Sequence, residues 1–382
     1  MHEDNSGRRG LSSNKNRDSR SMIEALATVV LAGGLGSRLG SDAPKGTYPI
    51  SQVKGKSLFQ LIAEKTVAAG KAYDTRLQIA IMTSQENHDA TLQHFTEANF
   101  FGLLPEQLSF FTQGSLPLLD DNDQPVHPLT APDGNGLFFE SLAASGILDR
   151  WKRAGISCIT VVLIDNPLAD PFHLPLIELH LKNQNAITLA AVERLDPEEN
   201  VGLIIEKEGR LRVVEYSEIS HDERYARDST GRLKYPLANI SFFAFSLAFL
   251  EEMAAQKPLL MPLHRVKKEI TAAQKRLLGK EGPIALWKSE YFIFDLLAFT
   301  QKSSVLLLDR EDTFCPLKNS ASVAAVREAL LKKDQKQFYT ISHVQAPLDR
   351  SFELSQQFYY PTKEMIEKWK NRPLPSESYI EP

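Results

Sequence analysis

Six short runs of apolar, largely β-branched residues recur along the chain, at residues 27–33, 77–83, 158–165, 186–192, 240–245 and 304–309. A run that is apolar on both faces predicts a strand buried inside a sheet, not one with a solvated side. Segments with helical spacing lie between these runs. Residues 57–71 place Leu58, Leu61, Ile62 and Ala69 on one face, with Ser57 as the N-cap. Residues 136–150, 171–182 and 291–302 show similar patterns. Strands alternating with helices predict a doubly wound α/β sheet, whose ligand crevice lies beyond the carboxyl ends of the strands.

Two regions break the alternation. Residues 202–220 alternate apolar and polar positions around Glu208 and Gly209, which predicts a hairpin at the sheet edge. Residues 323–382 are polar and rich in Lys, Gln and Pro, with one helix predicted near residues 322–333 and another near 362–370. The expected organisation is a disordered tail over residues 1–24, a main α/β domain over 25–322 and a small C-terminal appendage over 323–382.

Composition narrows the partners. The chain has 382 residues, 42% hydrophobic and 24% charged, enough to bury a sizeable core. A formal net charge of -4 provides no broad basic face for a nucleic-acid backbone, so small-molecule ligands are expected. The two cysteines, Cys158 and Cys315, lie far apart without a Cys-x-x-Cys partner, which suggests neither a disulfide framework nor a structural zinc site. No apolar run is long enough for a bilayer and the first twenty residues are polar, so a cytoplasmic protein without a membrane partner is expected.

The first strand runs into Gly33-Gly34-Leu35-Gly36-Ser37-Arg38-Leu39-Gly40, followed by Pro44-Lys45-Gly46. Glycines admit backbone N–H groups close to a phosphate where a Cβ would block them, and Arg38 and Lys45 add mobile positive charge. Taken alone, such a loop is equally a strand-end turn with solvated basic residues. The spacing excludes a Walker A loop, which closes on Gly-Lys-Ser/Thr, and the dinucleotide fingerprint, whose third glycine comes one residue earlier.

This loop, with its following Ala-Pro-Lys-Gly, resembles the signature of the UDP-sugar pyrophosphorylases, and within them the eukaryotic-type UDP-N-acetylhexosamine pyrophosphorylases. Further blocks resemble that family in the same order. They are Thr112-Gln113-Gly114 with Leu116-Pro117, Ala131-Pro132-Asp133-Gly134-Asn135-Gly136, Ile164-Asp165-Asn166, Asn200-Val201-Gly202 and Val214-Glu215-Tyr216-Ser217-Glu218-Ile219. Ala238-Asn239-Ile240, Phe292-Ile293-Phe294-Asp295, Arg310-Glu311-Asp312 and Pro316-Leu317-Lys318-Asn319 complete the set, which covers roughly residues 27–324. The resemblance implies a Rossmann-like doubly wound mixed sheet and a uridylyltransferase joining UTP to a sugar 1-phosphate with release of pyrophosphate. It also implies dependence on Mg²⁺ or Mn²⁺.

Carried over by residue, the resemblance assigns Gly33, Gly34 and Gly36 to the nucleotide through their backbones, and Gln113 and Gly134 to the uracil edge. An amide suits that edge because it offers a donor and an acceptor together. Arg38, Lys45 and Lys318 are expected to carry the catalytic charge. Asp165 ends an apolar strand at the crevice, where it can hold a metal ion, although Asp165-Asn166-Pro167 would also serve as a helix cap. The sugar is expected to meet Asn135, Gly202, Glu215, Asn239, Lys288, Phe292 and Phe294. From the pattern alone Glu215 reads as a solvated strand residue, and the two phenylalanines as core packing.

The chain departs from the family in having Leu137 where a second glycine usually follows Gly136. It is also expected to lack the family's long N-terminal extension and most of its C-terminal β-rich region. N-Acetylglucosamine 1-phosphate is the expected acceptor, with glucose 1-phosphate as the alternative. Two other classes are a nicotinamide-dependent oxidoreductase, opposed by the loop spacing, and a silent UDP-sugar sensor, opposed by Arg38, Lys45 and Asp165 occurring together.

Overall fold

A computed structural model describes residues 19–382 apart from residue 259. Of the expected tail, residues 1–18 lie outside the described residues, while residues 19–24 are helical and Ile23 is fully buried. Fifteen strands are present in chain order among the described residues. They are β1 Leu26–Leu31, β2 Gln78–Thr83, β3 Leu108–Thr112, β4 Ser115–Leu119, β5 Pro125–Pro132, β6 Cys158–Leu163, β7 Ile187–Glu193 and β8 Leu203–Lys207. The remainder are β9 Arg210–Val214, β10 Leu237–Ser246, β11 His264–Glu269, β12 Ala285–Glu290, β13 Ser303–Leu307, β14 Glu353–Leu354 and β15 Tyr379–Ile380.

The main sheet runs β13-β7-β10-β6-β1-β2-β3, with the β8–β9 hairpin attached beside β10. β1 lies in its interior, parallel to both neighbours, with Val29 opposite Ala80 of β2 and Val161 of β6. β10 runs antiparallel to β6 and β7, so the sheet is mixed as expected. β1 is buried along its whole length because helices cover both faces. The helices Leu58–Ala72 and Leu174–Lys182 pack on one side. Phe138–Ala144, Ile147–Arg153 and Leu247–Ala255 pack on the other.

The Leu58–Ala72 helix begins where predicted, with Ser57 Oγ accepting from Gln60 N. The helix expected over residues 136–150 is two helices, because Gly146 takes φ +74° between them. The helical pattern at 291–302 becomes a 3-10 turn, Ile293–Phe299, whose buried face of Ile293, Phe294, Leu296 and Leu297 carries the periodicity, and the chain then enters β13. A second, four-stranded antiparallel sheet, β11-β12-β4-β5, was not anticipated. Its strands are half exposed and its β11 sequence HRVKKE is mostly polar, so no apolar run marks it.

The C-terminal segment carries the 20-residue helix Val323–Ser342 and a small core of its own that includes Phe338, Phe352, Phe358 and Trp369. It is fastened to the sheet domain. Val326 and Tyr360 belong to the main core, and Glu353 Oε2 accepts from the backbone N–H groups of Val53 and Lys54.

Candidate nucleotide and sugar site

The loop after β1 folds back on itself. Gly36 N donates to Ala43 O (2.8 Å), Lys45 N donates to Gly34 O (3.1 Å), and Leu35 bridges Pro44. These bonds bring Lys45 back beside the glycines. Asn87 Nδ2 braces the loop by donating to Ala32 O (2.8 Å) and Gly34 O (3.2 Å), a role that nothing in the sequence reading signalled. Across the loop, Gln113 follows β3 and is 8% exposed. A Cβ on Gly33 would lie 2.8 Å from its Nε2, so the glycine lets the amide pass close by. The Gln113 side chain makes no hydrogen bond among the described residues, which leaves it free for a ligand.

Gly134, Asn135 and Gly136 are stitched to the turn before Ile293–Phe299. Tyr291 N donates to Asp133 O (2.7 Å), Gly136 N donates to Tyr291 O (2.9 Å), and Ile293 N donates to Asn135 Oδ1 (3.0 Å). Gly134 has φ +93°, and a Cβ there would sit 2.3 Å from Tyr291 O. This crossing needs glycine for both conformation and space. Gly33, Gly34, Gln113, Gly134, Asn135 and Lys288 line one open cleft of about 640 Å³ at the carboxyl ends of β1 and β3. Lys288 thus faces the same cleft as Gln113, where it pairs with Glu290.

Asp165 lies just past β6, 8% exposed. Its Oδ2 accepts from Lys45 Nζ at 3.4 Å and from Lys318 Nζ at 3.0 Å. Its Oδ1 is buried without a partner in the described residues. Burial pushes the Lys45 ammonium below its usual pKa, Asp165 acts the other way, and Lys318 and Arg38 add repulsion. Arg38 is exposed on the 3-10 turn Ser37–Leu39 and forms no ion pair among the described residues. Asn166 is not a free helix cap: its Nδ2 donates to Thr313 O (2.8 Å) and its Oδ1 accepts from Cys315 N (3.2 Å). Leu317 N donates to Asp165 O (2.7 Å), and these bonds together bring Lys318 to Asp165.

The backbone behind Asp165 is clamped by two further lysines. Lys65 Nζ donates to Pro167 O and Ala169 O, both at 2.6 Å. Lys333 Nζ donates to Leu168 O (2.6 Å) and Asp312 O (2.9 Å). Burial, with repulsion from Lys333, lowers Lys65 to about 7. Neither lysine carried a motif in the sequence.

The sugar candidates gather at the hairpin and the aromatic turn. Gly202, Glu215 and Asn239 meet, since Asn239 N donates to Gly202 O (2.9 Å) and a Cβ on Gly202 would lie 3.5 Å from Glu215 Oε1. Asn239 sits at a bulge of β10 and its Oδ1 accepts from Ser241 N. Burial, reinforced by Glu218, raises the Glu215 carboxyl above its ordinary range. Phe294 is 4% exposed and belongs to the core, whereas Phe292 is only partly covered. His264, which the sequence reading missed, packs against both rings.

A second cavity, of about 280 Å³, lies between the helices Leu58–Ala72 and Val323–Ser342 and is lined by Lys65, Asp170, Lys333 and Tyr360. None of the predicted site residues faces it, so the cleft at the glycine loop is the functional candidate.

A parallel-centred mixed sheet, with a glycine loop and converging lysines at its carboxyl edge, is the α/β arrangement in which phosphorylated ligands are bound beyond the strand ends. Residues 2–374 match the family described as UTP–glucose-1-phosphate uridylyltransferase, and the chain belongs to that family. It is 36% identical over 309 residues to the UDP-N-acetylglucosamine pyrophosphorylase of Saccharomyces cerevisiae, covering 77% of this chain and 64% of that one. It is 34% identical over 319 residues to UDP-N-acetylglucosamine diphosphorylase 2 of Arabidopsis thaliana, covering 77% and 61%. The match therefore spans a little under two thirds of the length of these relatives. The crystal structure of the Trypanosoma brucei UDP-N-acetylglucosamine pyrophosphorylase in complex with an inhibitor superposes with a TM-score of 0.79 at 25% identity, covering 98% of this chain and 83% of that one. Among the described residues no helix is long and apolar enough to cross a membrane.

Proposed function

We propose that the chain is a uridylyltransferase joining UTP to a sugar 1-phosphate, with N-acetylglucosamine 1-phosphate as the acceptor and pyrophosphate as the second product. The observation that carries this reading is the Lys45–Asp165–Lys318 arrangement at the end of the loop after β1, where Lys45 N donates to Gly34 O. One carboxylate shared by two ammonium groups leaves local positive charge, which two anionic substrates would meet. The family and the names of the relatives point the same way.

In this mechanism the acceptor's phosphate oxygen attacks the α-phosphorus of UTP in line, and pyrophosphate leaves. The nucleophile is already an anion at neutral pH, so the protein's work is alignment and charge stabilisation. Gln113 and Gly134 hold the uracil, Gly33, Gly34 and Gly36 approach the phosphates, and Arg38 and Lys45 face the departing pyrophosphate. Lys318 receives the acceptor phosphate. Lys288 adds charge at the cleft wall, and Asn135, Gly202, Glu215, Asn239 and Phe292 define the sugar pocket over Phe294.

A divalent ion, Mg²⁺ or Mn²⁺, fits at Asp165, whose buried Oδ1 has no protein partner. The described residues contain no group of three or more His, Cys, Asp or Glu side chains able to hold a metal, so phosphate oxygens and water would complete its shell. When bound, such an ion supplies charge neutralisation at the phosphates. Action in the cytosol accords with the two unpaired cysteines.

Pyrophosphate release with UTP and Mg²⁺ tests the reading, comparing N-acetylglucosamine, N-acetylgalactosamine and glucose 1-phosphates. Preference for an acetamido sugar supports it in full. Preference for glucose 1-phosphate keeps the reaction and replaces the acceptor, and absence of turnover with every acceptor refutes it.

A further inference from the structure

His264 opens β11, and its ring joins two turns that are distant in sequence. Nδ1 lies 2.6 Å from Glu218 Oε1, and Nε2 lies 2.9 Å from Asp295 Oδ2. Each carboxylate is tied to a residue of the sugar pocket. Glu218 N donates to Glu215 O (2.9 Å), and Asp295 N donates to Phe292 O (3.1 Å). The ring also packs against Phe292, with centroids 4.5 Å apart. His264 therefore spans from the Glu215 turn to the Phe292 turn, the two turns assigned above to the sugar.

Two ionised carboxylates require two donors, and only the imidazolium has both ring N–H groups; the neutral ring keeps one. The charged and titratable groups around His264 are Glu218 and Glu215 from the hairpin turn, Asp295 from the aromatic turn and Glu290 opposite it on β12, itself paired with Lys288. Burial lowers the pKa of His264, but the hydrogen bonds and charges of Glu218 and Asp295 outweigh it and raise the pKa.

We propose that His264 is a positioning residue for sugar recognition: as an imidazolium it holds the Glu215 and Phe292 turns at a fixed separation, and it loosens one of them when it loses its proton. The inference rests on the assignment of Glu215 and Phe292 to the sugar. It predicts that affinity for a UDP-sugar, but not for UTP, falls as pH rises through the pKa of His264.

Calorimetric binding of UTP and of UDP-N-acetylglucosamine to the full chain, from about pH 6.5 to about pH 9, tests it on the wild type, His264→Gln and Glu218→Gln. The wild type should lose roughly tenfold in UDP-sugar affinity across this range, the worth of one charge-assisted hydrogen bond. His264→Gln should bind UDP-sugar weakly and without that pH dependence while keeping its UTP affinity. Glu218→Gln, which removes one negative neighbour, should move the transition to lower pH, a shift that a purely structural role would not produce. Retention of wild-type affinity and pH profile in His264→Gln overturns the proposal, as does equal loss for UTP and UDP-sugar. A wild type that binds UTP but no UDP-sugar at any pH refutes the functional reading itself, and the proposal with it.

Discussion

Replacing Lys45 with methionine separates catalysis from stability, because the structure gives the two effects opposite signs. The Lys45 side chain is 11% exposed, and its ammonium is 3.4 Å from the Asp165 oxygen that Lys318 holds at 3.0 Å. Burial lowers its pKa by more than Asp165 raises it. The folded pKa therefore lies below the unfolded one, so between the two values the unfolded chain binds more protons and stability rises with pH. At neutral pH the folded protein carries this charge at a cost. Methionine nearly matches the stem in volume and removes the charge, while Asp165 keeps Lys318 as its partner. Lys45→Met should melt at the wild-type temperature or above. Catalysis should suffer, since loss of one preorganised charge at the departing phosphates costs about 3 to 4 kcal/mol in the transition state, roughly a 10²–10³-fold drop in kcat. Pyrophosphate release at saturating UTP and acceptor, together with a thermal unfolding curve, reads both effects. A variant within threefold of wild-type kcat would remove Lys45 from the chemistry, and a large fall in melting temperature with a parallel fall in activity would make its role structural. The expected pattern, stable but slow, is that of a residue kept for function against stability.

Gly134→Ala adds a Cβ 2.3 Å from Tyr291 O at a φ of +93°, so strain and overpacking should destabilise the protein by about 2–4 kcal/mol and weaken UTP binding; an unchanged melting curve would contradict this. Lys333→Met leaves Leu168 O and Asp312 O without their donor and should lower kcat several-fold with little change in KM for UTP; partial rescue by a small alkylammonium ion would support the clamp, and wild-type kcat would refute it. His180 is buried with its ring at 3.1 Å from Thr188 Oγ1, and burial depresses its pKa from 6.5 to about 4. Between these values the unfolded chain takes up the proton first, so stability should fall as pH drops from 6.5 toward 4, by up to about 3 kcal/mol, and a His180→Gln variant should lack that component in acid unfolding curves.

Most of the central sheet was legible because its inner strands are buried on both faces and therefore largely apolar: β1, β2, β6, β7 and β10 coincide with five of the six runs, and the sixth marks the partly exposed edge strand β13. Ser57 was legible as a cap because hydroxyl capping is a local interaction. The sheet β11-β12-β4-β5 was not, since exposed strands hold their register through long-range pairing that no short window contains. At the site, glycines forced by close approach, such as Gly33 against Gln113 and Gly134 against Tyr291, left a mark in the sequence. Residues that act through backbone carbonyls did not. Asn87, Lys65 and Lys333 hold the glycine loop and the Asp165 turn, yet any chain segment exposes carbonyls, so no partner residue type betrays them. His264 escaped for a related reason: Glu218 and Asp295 stand 46 and 31 residues away.

The two lysine pairs differ in what their ammonium groups accomplish. Lys65 and Lys333 spend their hydrogen bonds on the carbonyls of Pro167, Ala169, Leu168 and Asp312, which hardens the turn carrying Asp165 without exposing charge to the cleft. Lys45 and Lys318 instead share one oxygen of one carboxylate, so one positive charge remains uncompensated beside Arg38. A site left with surplus charge in a partly buried setting is unfavourable when empty and relieved by an anion, which favours binding where negative charge accumulates. In the proposed mechanism, a turn held from behind would reduce the reorganisation needed as negative charge builds on the departing pyrophosphate oxygen. The C-terminal segment thus reaches the Asp165 turn through Lys333, although none of its residues lines the cleft at the glycine loop.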